Sequence, residues 1–78
     1  MPKNIQTQIK EEIEEFNRRI KENPNECELY VGRAYSYMLI GEYKKALSDC
    51  KICLKLRPKD KNVLMVAELL IKEIKKRL

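Results

Sequence analysis

The sequence predicts an all-α fold: four helices in an antiparallel stack. Three observations carry that prediction. Only two glycines and three prolines interrupt 78 residues, and long runs of Glu, Lys, Leu and Ile favour helix. Apolar residues recur at steps of three and four, the spacing of one helix face. The strongest breakers, Pro24, Gly41 and Pro58, stand where those runs end. The helices are expected near residues 4–22, 26–40, 43–56 and 60–77.

The first helix places Ile5, Ile9, Ile13, Phe16 and Ile20 on one stripe. Asn4 is its expected N-cap. Glu14 before Arg18 and Glu15 before Arg19 are acid-before-base pairs that support the exposed face. The residue before Pro24 is pushed out of the helical region, so the helix stops by about Asn23. Asn25 then caps the second helix, with Glu28 three residues on in the spacing of a capping box. Its inward stripe is Tyr30, Ala34 and Tyr37, and Gly41 supplies the positive φ of a C-terminal cap. The third helix turns Tyr43, Ala46, Leu47, Cys50, Cys53 and Leu54 inward. Ala34 and Ala46 are small enough to let these two helices approach closely. Pro58 ends the segment and Asp60 caps the last helix, whose stripe is Leu64, Ala67, Ile71, Ile74 and Leu78, broadened by Val63 and Leu70.

Residues 27–60 carry Tyr30, Arg33 with Ala34, Tyr37, Ala46, Cys50 and Pro58 at intervals that match a known helix-turn-helix unit of 34 residues. The stretch resembles one tetratricopeptide repeat (TPR), with Arg33 in place of Leu and Cys50 in place of Phe as departures. The same period links Pro24 to Pro58. It also sets Ile9, Ile13, Phe16 and Ile20 on Tyr43, Leu47, Cys50 and Leu54, and Tyr30, Tyr37 and Ile40 on Leu64, Ile71 and Ile74. The chain therefore reads as a single TPR-like domain over 1–78: a half-repeat over 1–26, a full repeat over 27–60 and a capping half-repeat over 61–78. Glu12, Arg19 and Glu68 fall where a full repeat packs its own partner helix. Charge there favours a self-contained four-helix unit with polar ends over a piece of a long array. Plain divergence is the alternative, and the layout also suits an engineered minimal repeat scaffold.

Composition narrows the functional classes. Seventy-eight residues make one small domain. No run of 18 uncharged apolar residues is present, so no transmembrane segment is expected, and the N-terminus lacks the apolar region of a signal peptide. Three cysteines, an odd number, suit a reducing compartment, so a cytoplasmic or nuclear protein is expected. The net charge of +5 lies in the C-terminal two-thirds. Lys44, Ser48, Lys51 and Lys55 share an outward face of the third helix, and Lys72, Lys75, Lys76 and Arg77 close the chain. That charge would suit nucleic acid or an anionic membrane surface, but no aromatic is interleaved with it, so solvated helix surface is the preferred reading.

Nothing points to an enzyme. There is no histidine, no Gly-rich phosphate loop and no small-molecule substrate or cofactor signature. Gly32 stands inside a helix, where it costs roughly 1 kcal/mol against Ala. Either a close contact over that backbone or sequence drift accounts for it. Cys50 and Cys53 form a CxxC pair, but zinc takes four ligands and Cys27 is the only further thiol. Both fall at core positions of the repeat, where free Cys acts as a small hydrophobe.

The resemblance implies a peptide-binding groove lined by the first helix of each hairpin. The matching positions are Glu28, Val31, Gly32, Tyr35 and Met38, then Asn62, Met65, Val66, Leu69 and Lys72. Val31, Gly32 and Tyr35 stand where one version of the groove carries polar residues that grip a C-terminal carboxylate, so that mode is not expected. An apolar patch remains: Val31, Tyr35, Met38, Met65, Val66 and Leu69. The expected function is non-enzymatic protein binding through this patch, with a protein or peptide or a second copy in a homodimer as partner. Part of the patch also suits packing between adjacent helices.

The cysteine reading is checked directly. Replacing both thiols, Cys50→Ala with Cys53→Ala, is expected to lower stability by roughly 1–2 kcal/mol through lost packing, with no dependence on metal. Stoichiometric zinc in purified protein, released with loss of fold by a chelator, would contradict it.

Overall fold

The computed structural model describes residues 4–78. It comprises α1 (Ile5–Glu22), α2 (Cys27–Leu39), α3 (Tyr43–Lys55) and α4 (Lys61–Lys75). Among the described residues there is no strand. Connections of three to five residues join helices in contact, so successive helices reverse direction. The extents are 42 × 32 × 18 Å, and the short one fits two helix diameters of about 10 Å each. α2 is the hub. It packs against all three other helices, whereas α1 packs against α2 alone and α4 against α2 and α3.

The caps show how local chemistry sets the boundaries. Asn4 Oδ1 accepts from the Thr7 amide at 2.7 Å, and Asp60 Oδ1 accepts from the Asn62 amide at 2.8 Å, as their residue types predict. Gly41 has φ +80°. The Glu42 amide donates to the Tyr37 carbonyl at 2.9 Å and the Gly41 amide to Met38 at 3.1 Å, which closes α2 in a Schellman motif. Arg57 does the same for α3 with φ +52°, its amide donating to Leu54 at 3.1 Å. Pro58 follows it and has no amide to add the second bond.

The capping box expected from Asn25 and Glu28 does not form. Glu26 is the N-cap and makes no side-chain cap bond. The turn through Pro24 and Asn25 is closed instead by the Glu26 amide on the Asn23 carbonyl at 3.3 Å, and Tyr30 Oη donates to the Pro24 carbonyl at 2.7 Å. Asn25 is thereby held one residue too early to reach the helix amides. On α1, Arg18 turns to Glu15 rather than to the expected Glu14, while Glu15 with Arg19 is found at 3.4 Å.

The core lies along both sides of α2 and α3. Ala34, Ala46, Cys50 and Ile74 are fully buried in one cluster, and Cys53 and Ala67 in the next, with Cys27 and Tyr30 beside them. Ala34 and Ala46 have no exposed surface, as the close approach of α2 and α3 requires. On α4 the buried face is Ala67, Leu70 and Ile74, a slight rotation from the expected stripe; Leu64 and Ile71 are half-buried and Leu78 is exposed. Ile5, expected on the α1 stripe, is exposed. Ile13 stands level with Tyr37 and Ile40 near the end of α2. Ile5, two turns further on, has no α2 left to cover it.

Arg33, a departure from the repeat pattern, has a structural role. Its Nε donates to Asp49 Oδ2 at 2.8 Å and its Nη2 to Asp49 Oδ1 at 2.6 Å, a two-bond fork. Nη1 reaches Asn17 Oδ1 of α1 at 2.8 Å, and the guanidinium lies 5.8 Å from the rings of both Tyr30 and Tyr37. The bonds to Asp49 raise the Arg33 pKa above its ordinary value, against the opposing effect of burial. Asp49 is buried, so removing its partner leaves a carboxylate without compensation. Arg33→Leu and Asp49→Leu are each expected to cost about 2–4 kcal/mol, and the double variant less than the sum, by chemical denaturation. Strict additivity would show that the pair contributes nothing jointly.

Candidate protein-interaction surface

The six patch residues come from two helices that lie side by side. Val31, Tyr35 and Met38 recur at helical spacing on α2, and Met65, Val66 and Leu69 occupy one side of α4. The structure divides them into two groups. Val31 and Met38 are half-buried and pack against the core clusters, so they serve mainly to join α2 to its neighbours. Tyr35, Met65, Val66 and Leu69 are 51%, 53%, 43% and 58% exposed. Leu39 adds a fifth large apolar side chain at 51%, four residues after Tyr35. Leu39 is not among the six residues expected from the sequence. Its place one turn beyond Tyr35 was the available signal.

Between α2 and α4 runs an open groove of about 290 Å³ lined by Glu28, Val31, Gly32, Asn62, Val63 and Val66. Its walls are apolar, with Glu28 and Asn62 at the end where both helices begin. A second cleft, about 400 Å³ and polar, lies at the junction of α1 and α2, lined by Arg19, Glu22, Asn23, Glu26, Glu28 and Leu29. At the far end, Leu78 lies beside Gly41, Glu42, Tyr43 and Lys44. The expected basic stripe of Lys44, Ser48, Lys51 and Lys55 is exposed on α3.

Gly32 owes its place to the neighbouring helix. A Cβ there would lie 2.6 Å from Cζ and 2.7 Å from Cε1 of Phe16. The Phe16 ring of α1 thus lies directly against the α2 backbone, on a helix that also borders the groove. Of the two explanations open at the sequence level, the structure supports close contact.

Cys50 and Cys53 stay protonated at neutral pH. Burial pushes Cys50 up to about 11, with the nearby Asp49 charge adding to the effect. Burial also pushes Cys53 up to about 12, with Cys27 contributing. Cys27 Sγ donates to the Cys53 carbonyl at 3.5 Å. Since the thiolate is the nucleophile and the ligand, both side chains behave as small core hydrophobes. Among the described residues no three His, Cys, Asp or Glu side chains gather in a metal-holding group. No described helix is long and apolar enough to cross a membrane.

Comparison with known proteins adds a local match. Two curated relatives align over 53 residues. The protein SGT1 homolog of Bos taurus is 32% identical and that of Homo sapiens 30% identical, each over 68% of this chain. The aligned stretch covers only 16% and 14% of those proteins, so the chain spans about one-sixth of their length or less. No protein-family model matches the chain, and no solved structure does. Four stacked helices and these matches are compatible with a TPR-like fold.

The Gly32–Phe16 contact makes a definite prediction. Gly-to-Ala inside a helix normally stabilises by about 1 kcal/mol. Gly32→Ala is expected to gain little or lose stability in the native chain, and to recover that gain when Phe16→Ala is also present. Equal gains in both backgrounds, measured by urea unfolding, would show that the ring yields freely.

Proposed function

We propose that this chain is a non-enzymatic protein-interaction module that binds through the α2–α4 face. The carrying observation is the concentration of exposed apolar side chains there: Tyr35, Leu39, Met65, Val66 and Leu69, each about half exposed, beside an apolar groove. Together they present on the order of 500 Å², the upper range of a single patch on an ordinary monomer, and such patches commonly have a function. Tyr and Met suit the role, since both are enriched at protein interfaces. The site as first read, Val31, Tyr35, Met38, Met65, Val66 and Leu69, keeps its exposed members as contact residues. Val31 and Met38 support them from beneath. Among the described lining residues the polar side chains are Glu28 and Asn62, both at one end of the groove, and no cation lines it to grip a terminal carboxylate. An apolar segment of protein is therefore the favoured ligand class, and nucleic acid is disfavoured because the basic stripe lies on α3 and the basic residues of α4 stand only towards its two ends.

Peptide display tests this reading. Peptides selected against the native chain are expected to bind it and not the variant Leu69→Glu with Met65→Lys. Both positions are exposed, so circular dichroism is expected to show unchanged helix content in the variant. Selected peptides that bind both proteins equally would place the surface elsewhere. Unfolding of the variant would assign the two residues to the intramolecular core.

A further inference from the structure

We propose that the occupant of the α2–α4 face is an amphipathic helix of another protein, apolar along its middle and acidic at both ends. The inference rests on the reading of that face as the interaction surface, and it names the partner's chemistry.

One stripe of α4 is apolar in its middle and basic at both ends. Lys61, Met65, Leu69, Lys72 and Lys76 follow at steps of four, four, three and four, the spacing of a single helix face, and all are exposed. Lys61 and Lys72 stand about 16 Å apart along the axis, at 1.5 Å of rise per residue. Neither has an ion pair among the described residues, nor do Arg57 and Lys59 before the helix or Lys75 at its end. The nearby acids do not cancel this charge. Asp60 holds the Asn62 amide, and Glu73 lies 3.7 Å from Lys76 and 3.6 Å from Arg77. Glu68 stands about 200° around α4 from Val66, and so away from the groove that Val66 lines. Glu42 borders Lys44 and Leu78 on one side and Lys10 and Lys45 on the other, so cations already surround it. Glu28 remains, at the start of the groove, against Arg57, Lys59 and Lys61.

The form of the occupant follows from the groove. Its apolar walls carry polar side chains, Glu28 and Asn62, at one end only. An extended segment laid there would leave backbone N–H and C=O groups without partners, whereas a helix satisfies its own. A helix also repeats its apolar residues at the spacing of Met65 and Leu69, and of Tyr35 and Leu39. About eleven residues of helix cover the distance from Lys61 to Lys72, so acids that far apart reach both cations. A second copy fits poorly. Laid α4 on α4 about a two-fold axis, it sets lysine opposite lysine at both ends.

A displayed library of helical peptides, with Glu, Gln or Lys allowed at the end positions, tests the proposal. Peptides selected on the native chain are expected to carry Glu at both ends. Lys61→Glu and Lys72→Glu are each expected to weaken their binding roughly tenfold, and selection on the double variant to turn the preference to Lys. Both positions are exposed, so circular dichroism is expected to show native helix content. The end preference found on the native chain decides even where a variant fails to fold. Helices that lose binding in Leu69→Glu with Met65→Lys but show no charge preference overturn the acidic ends, while the reading of the face survives. Helices indifferent to that variant overturn both. A helical library that yields nothing where unconstrained peptides succeed overturns the helical partner, and failure of both libraries overturns this proposal and that reading together. A native chain that dimerises in sedimentation equilibrium, and loses the dimer in Leu69→Glu with Met65→Lys, assigns the face to a second copy and overturns the foreign helix.

Discussion

The clamp of Arg33 on Asp49 holds together a structure whose core offers little bulk. The largest fully buried side chains are Ile74, Cys50 and Cys53; the others without exposed surface are alanines. Small side chains bring α2 and α3 close, but they define no unique register, because Ala and Cys present few distinctive contours. A guanidinium fork with two parallel bonds fixes direction as well as distance. Here it also reaches α1 through Asn17 and is flanked by two tyrosine rings. One side chain on the hub helix thus sets the positions of the helices on either side.

The fold was legible because its signals are local. Proline and glycine mark the ends of helices, Asn4 and Asp60 cap within three residues, and the Ile9–Ile13 stripe repeats at helical spacing. What escaped notice was interaction between segments. Arg33 read as a departure from the repeat pattern because its partner lies sixteen positions away on another helix. No linear spacing couples the two. Ile5 fits its stripe faultlessly, and it is exposed because α1 outruns α2, a matter of relative helix placement rather than periodicity. Asn25 failed as a cap for a similar reason: the preceding turn, tied down by Tyr30, decides which residue meets the helix.

The candidate surface was legible in outline and blurred in detail. The resemblance to a repeat selected Val31, Tyr35 and Met38 together, but a repeat position cannot separate a side chain pressed under a neighbouring helix from one beside it. Burial makes that separation, leaving Tyr35 outside and placing Val31 and Met38 partly within. Gly32 follows the same logic. Its cost to the helix was visible in the sequence, but its cause, the Phe16 ring, belongs to another segment.

The two sides of the molecule solve the problem of a thin fold differently. A stack two helices deep must leave one side of each helix uncovered. On α1 and α3 those sides carry Glu, Lys and Arg, which are readily hydrated. On α2 and α4 they carry Tyr35, Leu39, Met65, Val66 and Leu69, although the same positions tolerate charge sterically. Nothing in the internal packing calls for large apolar groups there, since the half-buried Val31, Met38 and Val63 already close the α2–α4 seam. Keeping them exposed leaves apolar surface in water without a compensating internal contact. On the proposed reading an external contact supplies that compensation, and its boundaries follow from the residues around the patch: Glu28 and Asn62 at one end, Lys72 and Lys76 at the other, with the apolar interval between them.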